Sequence, residues 1–390
     1  MVKIEPKRIR VCMLTFDFPP TPGGIANHVY ELSKALVKKG VEVHVVVPSW
    51  LRKEKMRDVV DGINVHRVHA NAWLKHRNPF LTLKLAHKLN QVIRKYGIQV
   101  VHNHSYFYGT FVMWFSRRER TLLTNHEGGF LEFFESRLLR RVLHLLLKRY
   151  DFVIAPSEEL RVKAEWCGFP AEKTLFITNG VDDKRFSPEV AGNEIRMKYG
   201  INETEILVLC PRRLEPKNGV EFFVKAAPLV FQKNPSIKFM VVGGGFPNER
   251  KRFEEFIAQE GLEKKVLFTG NIDNKEMPAF YAASDMVILP SLMEATSLSG
   301  LEAMATGKPL IGTRVGGIPF LIDDGVTGIL IPSANTRAIC NAILKLSEDE
   351  SLMRKLGTAG RRKVEEKLSW DKIAHSTLAV YSNVLKMKKG

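Results

Sequence analysis

Four kinds of residue in this chain have the type and spacing to do chemistry. Glycine clusters follow apolar runs: Gly23-Gly24 after Arg10 to Phe16, Gly243-Gly244-Gly245 after Ile237 to Val242, and Gly316-Gly317 after Leu310 to Gly312. Backbone without side chains admits a ligand closely and turns N–H groups toward an anion, so phosphate suits the first pair. No Gly-Lys-Ser/Thr ending and no GxGxxG accompanies it, which argues against a P-loop and a dinucleotide fingerprint. Phosphate also needs cations, and Arg212, Arg213 and Lys217 follow the strand-like run Ile206 to Cys210, where ligand loops of α/β sheets collect. Glu294 and Glu302 bracket the next candidate segment, and two such carboxylates accept hydrogen bonds from several hydroxyls, as in reading a sugar or ribose. Nothing in their spacing shows the pair about 5 Å apart that a retaining glycosidase needs. His102, His104 and His126 fall at or just past strand ends, His126 opening the run His126-Glu127-Gly128-Gly129. A histidine there serves equally as a hydrogen-bonding residue of the fold. Asp, Glu and His are too dispersed along the chain to define a metal site, so none is expected.

The elements that must position these residues alternate. Arg10 to Phe16 reads as a buried strand, Ile25 to Lys39 as a helix with Val29, Leu32, Ala35 and Leu36 on one face, and Val41 to Pro48 as a strand covered on both faces. Helix Leu81 to Tyr96, strands Val100 to His104 and Thr121 to Asn125, helix Leu131 to Tyr150 and strand Phe152 to Pro156 continue the pattern. The pattern restarts after the charged, Pro- and Gly-containing segment Asp182 to Gly192, with strands at Ile206, Ile237, Val266, Met286, Leu310 and Gly328 separated by helices. This predicts two α/β domains with parallel sheets, at residues 1–185 and 186–368, followed by a terminal helical stretch at 369–390.

With 390 residues, 45% of them apolar, the chain is long enough for two cores. No apolar run reaches the roughly 20 residues of a membrane span and the first residues lack a signal-peptide core, so a cytoplasmic protein is expected. Cys12, Cys167, Cys210 and Cys340 match no zinc spacing and read as buried thiols. The formal charge of +17 calls for an anionic partner. Basic residues concentrate in the first half, at Arg52, Lys53, Lys55 and Arg57, at Arg117, Arg118 and Arg120, and between Arg137 and Arg149. The stretch Phe130 to Tyr150 mixes them with leucines, which fits both a core-covering helix and peripheral contact with an anionic membrane. No nucleic-acid-binding motif coincides with them. Only four glutamines occur, a composition pointing to a thermophilic source.

Six segments in order, Phe18-Pro19-Pro20-Thr21-Pro22-Gly23-Gly24, Asn179-Gly180-Val181-Asp182, Arg213 to Gly219, Pro290 to Glu294, Leu301 to Pro309 and Gly316-Gly317, resemble those of the GT4 family of retaining glycosyltransferases, over nearly the whole length. The resemblance implies the GT-B fold: two Rossmann-like domains facing each other across a deep cleft, the first binding acceptor and the second nucleotide sugar, with the C-terminal helix crossing back to the first. It implies transfer of a hexose-type sugar from a UDP- or GDP-sugar donor to a hydroxyl acceptor, with retained configuration and no required cofactor. The acceptor fits a lipid or glycan at the inner face of the cell membrane; no oligomeric state follows. On the matched positions, Gly23 and Gly24 face the donor diphosphate, and Arg213 and Lys217 neutralise it as it leaves. His126 contacts the donor sugar, Glu294 positions that sugar, and Glu302 grips the ribose, with Ser297 and Leu298 completing the donor-binding set.

Two departures from the family pattern stand out. Asn218 occupies the position before Gly219 where a lysine is common, with Lys217 one place earlier, and Glu294-Ala295-Thr296-Ser297 replaces Glu-x-Phe-Gly. A sugar-nucleotide epimerase of the same fold, or a catalytically reduced sugar- or lipid-binding protein, is the alternative.

Overall fold

The computed structural model describes residues 8–21, 23–50, 54–70, 79–117, 119–126, 137–294 and 296–387. Its two compact units consist of residues 1–180 with 370–390, and residues 181–369. Pro22, Arg52, Lys53, Arg118, Glu127 to Gly129, and Ala295 lie outside the described residues.

In the first unit, β1 (Arg10–Leu14) is followed by α1 (Gly24–Lys38), β2 (Glu42–Ser49), β3 (Arg57–Val60), β4 (Ile63–His69), α2 (Pro79–Tyr96), β5 (Val100–Asn103), α3 (Phe107–Trp114), β6 (Arg120–Thr124), α4 (Arg137–Leu147), β7 (Phe152–Ala155), α5 (Glu158–Trp166) and β8 (Thr174–Phe176). Among the described residues the strands form one sheet, ordered β3-β4-β2-β1-β5-β6-β7-β8. All pairs are parallel except β3 with β4. Successive residues of β1 enter different apolar clusters, Val11 and Met13 one, Cys12 and Leu14 the other. Period-two alternation therefore puts core on both faces, which explains the near-continuous valines of β2. Each fully buried Val, Leu or Ile contributes roughly 1.5–3 kcal/mol.

The antiparallel pair β3–β4 is an addition to the expected alternation of strands and helices. Its signal was present, since Val59-Val60 and Ile63-Asn64 flank Asp61-Gly62, a two-residue hairpin connection, and Asp61 and Gly62 both take positive φ.

The second unit runs α6 (Asn193–Lys198), β9 (Ile206–Cys210), α7 (Val220–Lys233), β10 (Ile237–Val242), α8 (Pro247–Gln259), β11 (Val266–Gly270), α9 (Met277–Ala283), β12 (Met286–Leu289), α10 (Leu298–Ala305), β13 (Leu310–Thr313), α11 (Ile318–Leu321), β14 (Gly328–Ile331), α12 (Thr336–Ser347) and α13 (Glu350–Lys363). Its sheet is parallel throughout, in the order β11-β10-β9-β12-β13-β14. The segment after residue 181 is packed into this unit, because Arg361 donates to the carbonyls of Asp183, Phe186 and Ala305.

The last helix, α14 (Trp370–Lys386), returns to the first unit as expected and packs against α1. Tyr381 is fully buried there with its hydroxyl 2.7 Å from Nδ1 of His102, and Lys39 meets Asp371 at 2.7 Å.

Candidate active site

In each sheet one strand has neighbours that lead the chain in opposite directions: β1 lies between β2 and β5, and β9 between β10 and β12. Loops leaving the carboxyl ends of strands beside such a switch point enclose ligands in open α/β sheets. The predicted site residues lie on these loops or in the helices they open, in two groups, one on each unit, except His126, which follows β6.

In the second unit the loop after β9 carries Arg212, Arg213 and Lys217, and the loop after β12 carries Glu294. Their backbones are tied together, with the amides of Leu292 and Met293 donating to the Lys217 carbonyl at 2.8 and 3.2 Å. Gly219 has φ +65°, and a Cβ there would stand 1.9 Å from the Pro290 carbonyl oxygen, so only glycine permits this approach. Gly316 holds the other side of the Glu294 loop: its φ is +51°, a Cβ would lie 1.5 Å from the Glu294 carbonyl oxygen, and the Gly317 amide donates to that oxygen at 3.1 Å. Gly243 to Gly245, the second glycine cluster, pack on this loop; the Gly244 carbonyl accepts from Leu214 at 2.8 Å, and a Cβ on Gly243 would meet the Arg212 carbonyl oxygen at 2.5 Å.

On this frame the side chains divide sharply. Arg212, its side chain 10% exposed, pairs with Glu294 at 2.5 Å and donates to Ser297 Oγ at 3.0 Å, while its Nε has no hydrogen-bond partner among the described residues. Burial raises the Glu294 carboxyl above its usual range even beside that guanidinium. Ser297 also caps α10, accepting from the Gly300 amide at 3.2 Å, and Leu298 begins the helix and packs partly into the core. The hydroxyl that departs from the family's Glu-x-Phe-Gly thus seats Arg212. Arg213 and Lys217 instead project outward, with side chains 65% and 54% exposed, and share Glu215 at 2.9 and 3.2 Å. The amide of buried Asn218 donates to the Arg213 carbonyl at 2.9 Å, so this residue shapes the loop while Lys217 carries the charge. Glu302, one turn into α10, accepts from the Tyr281 hydroxyl at 2.7 Å, and burial raises its carboxyl to about 7.

In the first unit Gly23 caps α1 and Gly24 starts it. A Cβ at either would meet no atom within 4 Å among the described residues, so packing does not account for the pair. Past β5 and β6 stand His104 and His126. Histidines dispersed along the chain converge in the fold: α1 brings His28 to these two, with ring centroids of His28 and His126 4.3 Å apart and those of His104 and His126 5.5 Å apart. Burial pushes the imidazole of His28 down to about 4 and those of His104 and His126 well below their ordinary value, keeping the rings neutral. His28 was missed. Its signal was a polar residue on the face of α1 that otherwise buries Ala26, Val29, Leu32 and Leu36. Asn179, from the Asn-Gly-Val-Asp segment, holds His28 Nδ1 at 2.6 Å.

Two Rossmann-like units, each with its sheet order reversing at one strand, and a terminal helix that returns to α1 match the GT-B architecture. Residues 22–185 match Glycosyltransferase Family 4 and residues 192–363 match Glycosyl transferases group 1. The chain belongs to this family. It is 27% identical to an uncharacterized glycosyltransferase of Methanocaldococcus jannaschii, covering 97% of this chain and 99% of that one. It is 26% identical to a GDP-mannose-dependent alpha-(1-6)-phosphatidylinositol monomannoside mannosyltransferase of Mycobacterium tuberculosis, covering 94% and 96%. Sucrose-phosphate synthase from Thermosynechococcus elongatus shares the fold, with a TM-score of 0.79 and 23% identity over 97% of this chain and 99% of that one.

Proposed function

We propose that the protein transfers a hexose from a UDP- or GDP-sugar to a hydroxyl of a lipid or glycan, with retention at the anomeric carbon. The carrying observation is the loop pair after β9 and β12, which displays Arg213 and Lys217 beside the shielded carboxylates Glu294 and Glu302. A departing nucleotide diphosphate accumulates negative charge, and fixed cations and N–H groups lower that barrier. Arg213 and Lys217 neutralise the diphosphate, the Gly23-Gly24 amides face it, Glu302 accepts from the ribose hydroxyls, and Glu294 with Ser297 and Leu298 positions the sugar. His126 presents a neutral imidazole to the sugar near its reacting carbon. The leaving phosphate takes the acceptor proton on the face from which it departs, so no protein nucleophile and no metal is assigned to the step.

The acceptor reading rests on the first unit. The outer side of α4 exposes Val142 and Leu145 beside exposed Arg141 and Lys148, a mixture suited to an anionic membrane surface, and Trp114, Phe115 and Trp166 are also exposed. The similar mycobacterial mannosyltransferase acts on a phosphatidylinositol derivative. Action at the cytoplasmic face of the membrane follows from this reading. Incubation with UDP- and GDP-sugars, with and without extracted lipid, tests it: acceptor-dependent release of nucleotide diphosphate and an α-linked product by NMR are expected from α-linked donors. An inverted product overturns the retaining assignment, and equal release without lipid overturns the acceptor class.

A further inference from the structure

Period-two alternation along β4 places Ile63, Val65 and Arg67 on one face of the sheet, and the first two belong to the apolar cluster that also holds Val29, Leu32 and Leu36 of α1. Arg67 continues that row with a charge. It is only 5% exposed, and its register partner on β2 is Val47 of the same cluster. A local rule broken inside an otherwise consistent sheet marks a position held for something other than packing.

The guanidinium ties together two loops. Nη2 donates to the Pro19 carbonyl at 2.9 Å, Nη1 donates to the Lys55 carbonyl at 3.4 Å, and Nε faces the Glu54 carboxylate at 3.5 Å. Glu54 is equally shielded, and it accepts from the Ser49 hydroxyl at 2.6 Å. Trp50, just past β2, adds a second tie, its indole N–H donating to the Phe16 carbonyl at 3.0 Å. Residues 16–21, which leave β1, are thus held from the side by β4 and the end of β2, and inside them the Thr21 amide donates to the Phe18 carbonyl at 3.1 Å. Gly23 and Gly24 follow directly. Replacing a buried ion pair by apolar side chains of similar volume is often neutral or stabilising, so stability alone does not account for Arg67 and Glu54. An apolar side chain cannot donate to two carbonyls from one rigid fork, and that is what Arg67 does here.

We propose that Arg67, backed by Glu54, is a positioning residue for the transfer: it fixes residues 16–21 and so sets where the Gly23-Gly24 amides stand. This rests on the transfer reading above, in which Arg213, Lys217 and Glu302 hold the donor and the glycine amides meet the charge that develops as the diphosphate leaves. An interaction that strengthens only in the transition state acts on kcat rather than on donor affinity. Displacement of such a group by about 1 Å costs on the order of 100-fold.

Two double variants of the full-length protein test this. Arg67→Met with Glu54→Gln removes the fork without leaving a lone buried charge, and Lys238→Met with Glu205→Gln removes a comparably shielded pair from the second unit. Both are expected to melt within a few degrees of the unsubstituted protein. Only the first is expected to speed hydrogen exchange at residues 16–21 and 23–27 and to lower kcat, by roughly 30- to 100-fold, with the Kd for nucleoside diphosphate changed less than about twofold. Arg67→Lys keeps a charge opposite Glu54 but not the fork, and should lose about 10-fold in kcat at unchanged melting; it carries the comparison if the first double variant fails to fold. Unchanged exchange in the loop overturns the proposal, as does unchanged kcat with a loosened loop or an equal loss of kcat in the second-unit variant. Absence of turnover by the unsubstituted protein with every donor overturns the transfer reading itself, before any variant is compared, and the positioning role falls with it.

Discussion

The two switch points are built from opposite materials. At the second-unit loops, charges are kept: Arg213 and Lys217 stand in solvent around Glu215, while Arg212 and Glu294 form a shielded pair beneath them. At the first-unit loops, burial keeps the titratable groups neutral, with His28, His104 and His126 all held below the ordinary imidazole range. The same sheet edge therefore displays charge in one unit and neutral imidazoles in the other. What differs is whether the polar side chains come from loops or from strand ends and helix faces facing the core.

The largest expected effect breaks the shielded pair. Arg212→Ala leaves the Glu294 carboxyl without its cation and lowers stability by about 3–5 kcal/mol, whereas Arg212→Met with Glu294→Gln recovers most of that loss. Denaturant titration of the three proteins measures it; an equal loss in the double variant means the pair is not what the loop depends on.

Next comes the exposed cation. Arg213→Ala lowers kcat/KM by roughly 10²- to 10³-fold, about 3–4 kcal/mol in the transition state, without a comparable change in melting, because its side chain is largely in solvent.

Acid should separate the units. His66 in β4 is held at about 4 against an ordinary 6.5, chiefly by burial, so the folded form binds fewer protons and stability falls as pH drops from 6.5 toward 4, by up to about 3 kcal/mol. Glu302 is raised from 4.5 to about 7, so the folded form binds more protons and the second unit gains stability as pH drops from 7 toward 4.5. Hydrogen exchange at pH 7 and pH 5 should show faster opening in the first sheet and slower opening around α10. Uniform change in both units contradicts this assignment.

The smallest effect concerns the ribose contact. A carboxylate accepts two hydroxyl bonds better than its acid, so nucleoside diphosphate affinity should rise several-fold between pH 6 and 8, and Glu302→Gln should abolish that dependence.

Much of this was legible beforehand. Strands such as β2 and β9 announce themselves as short apolar runs followed by Gly, Pro or charge, and parallel alternation then places Arg213 and Glu294 at strand ends. The returning helix α14 was also foreseen. Partners were not legible, because periodicity assigns a residue to a face and not to a neighbour. Arg212 reads like Arg213 in sequence, yet one is largely shielded against Glu294 and the other is mostly in solvent. His28 and Asn179 are 151 positions apart, and only the sheet order makes them touch. The departure at Asn218 became intelligible only when its amide was seen holding the Arg213 carbonyl.

The central claim is that the loops after β9 and β12 bind the donor and stabilise its leaving group. Acceptor-dependent release of nucleotide diphosphate by the unsubstituted protein, compared with Arg213→Ala and Glu302→Ala, tests it most directly. The account predicts release from one donor class that Arg213→Ala slows at least about 100-fold and that Glu302→Ala impairs through weaker donor binding. Release at unchanged rate in both folded variants would contradict it.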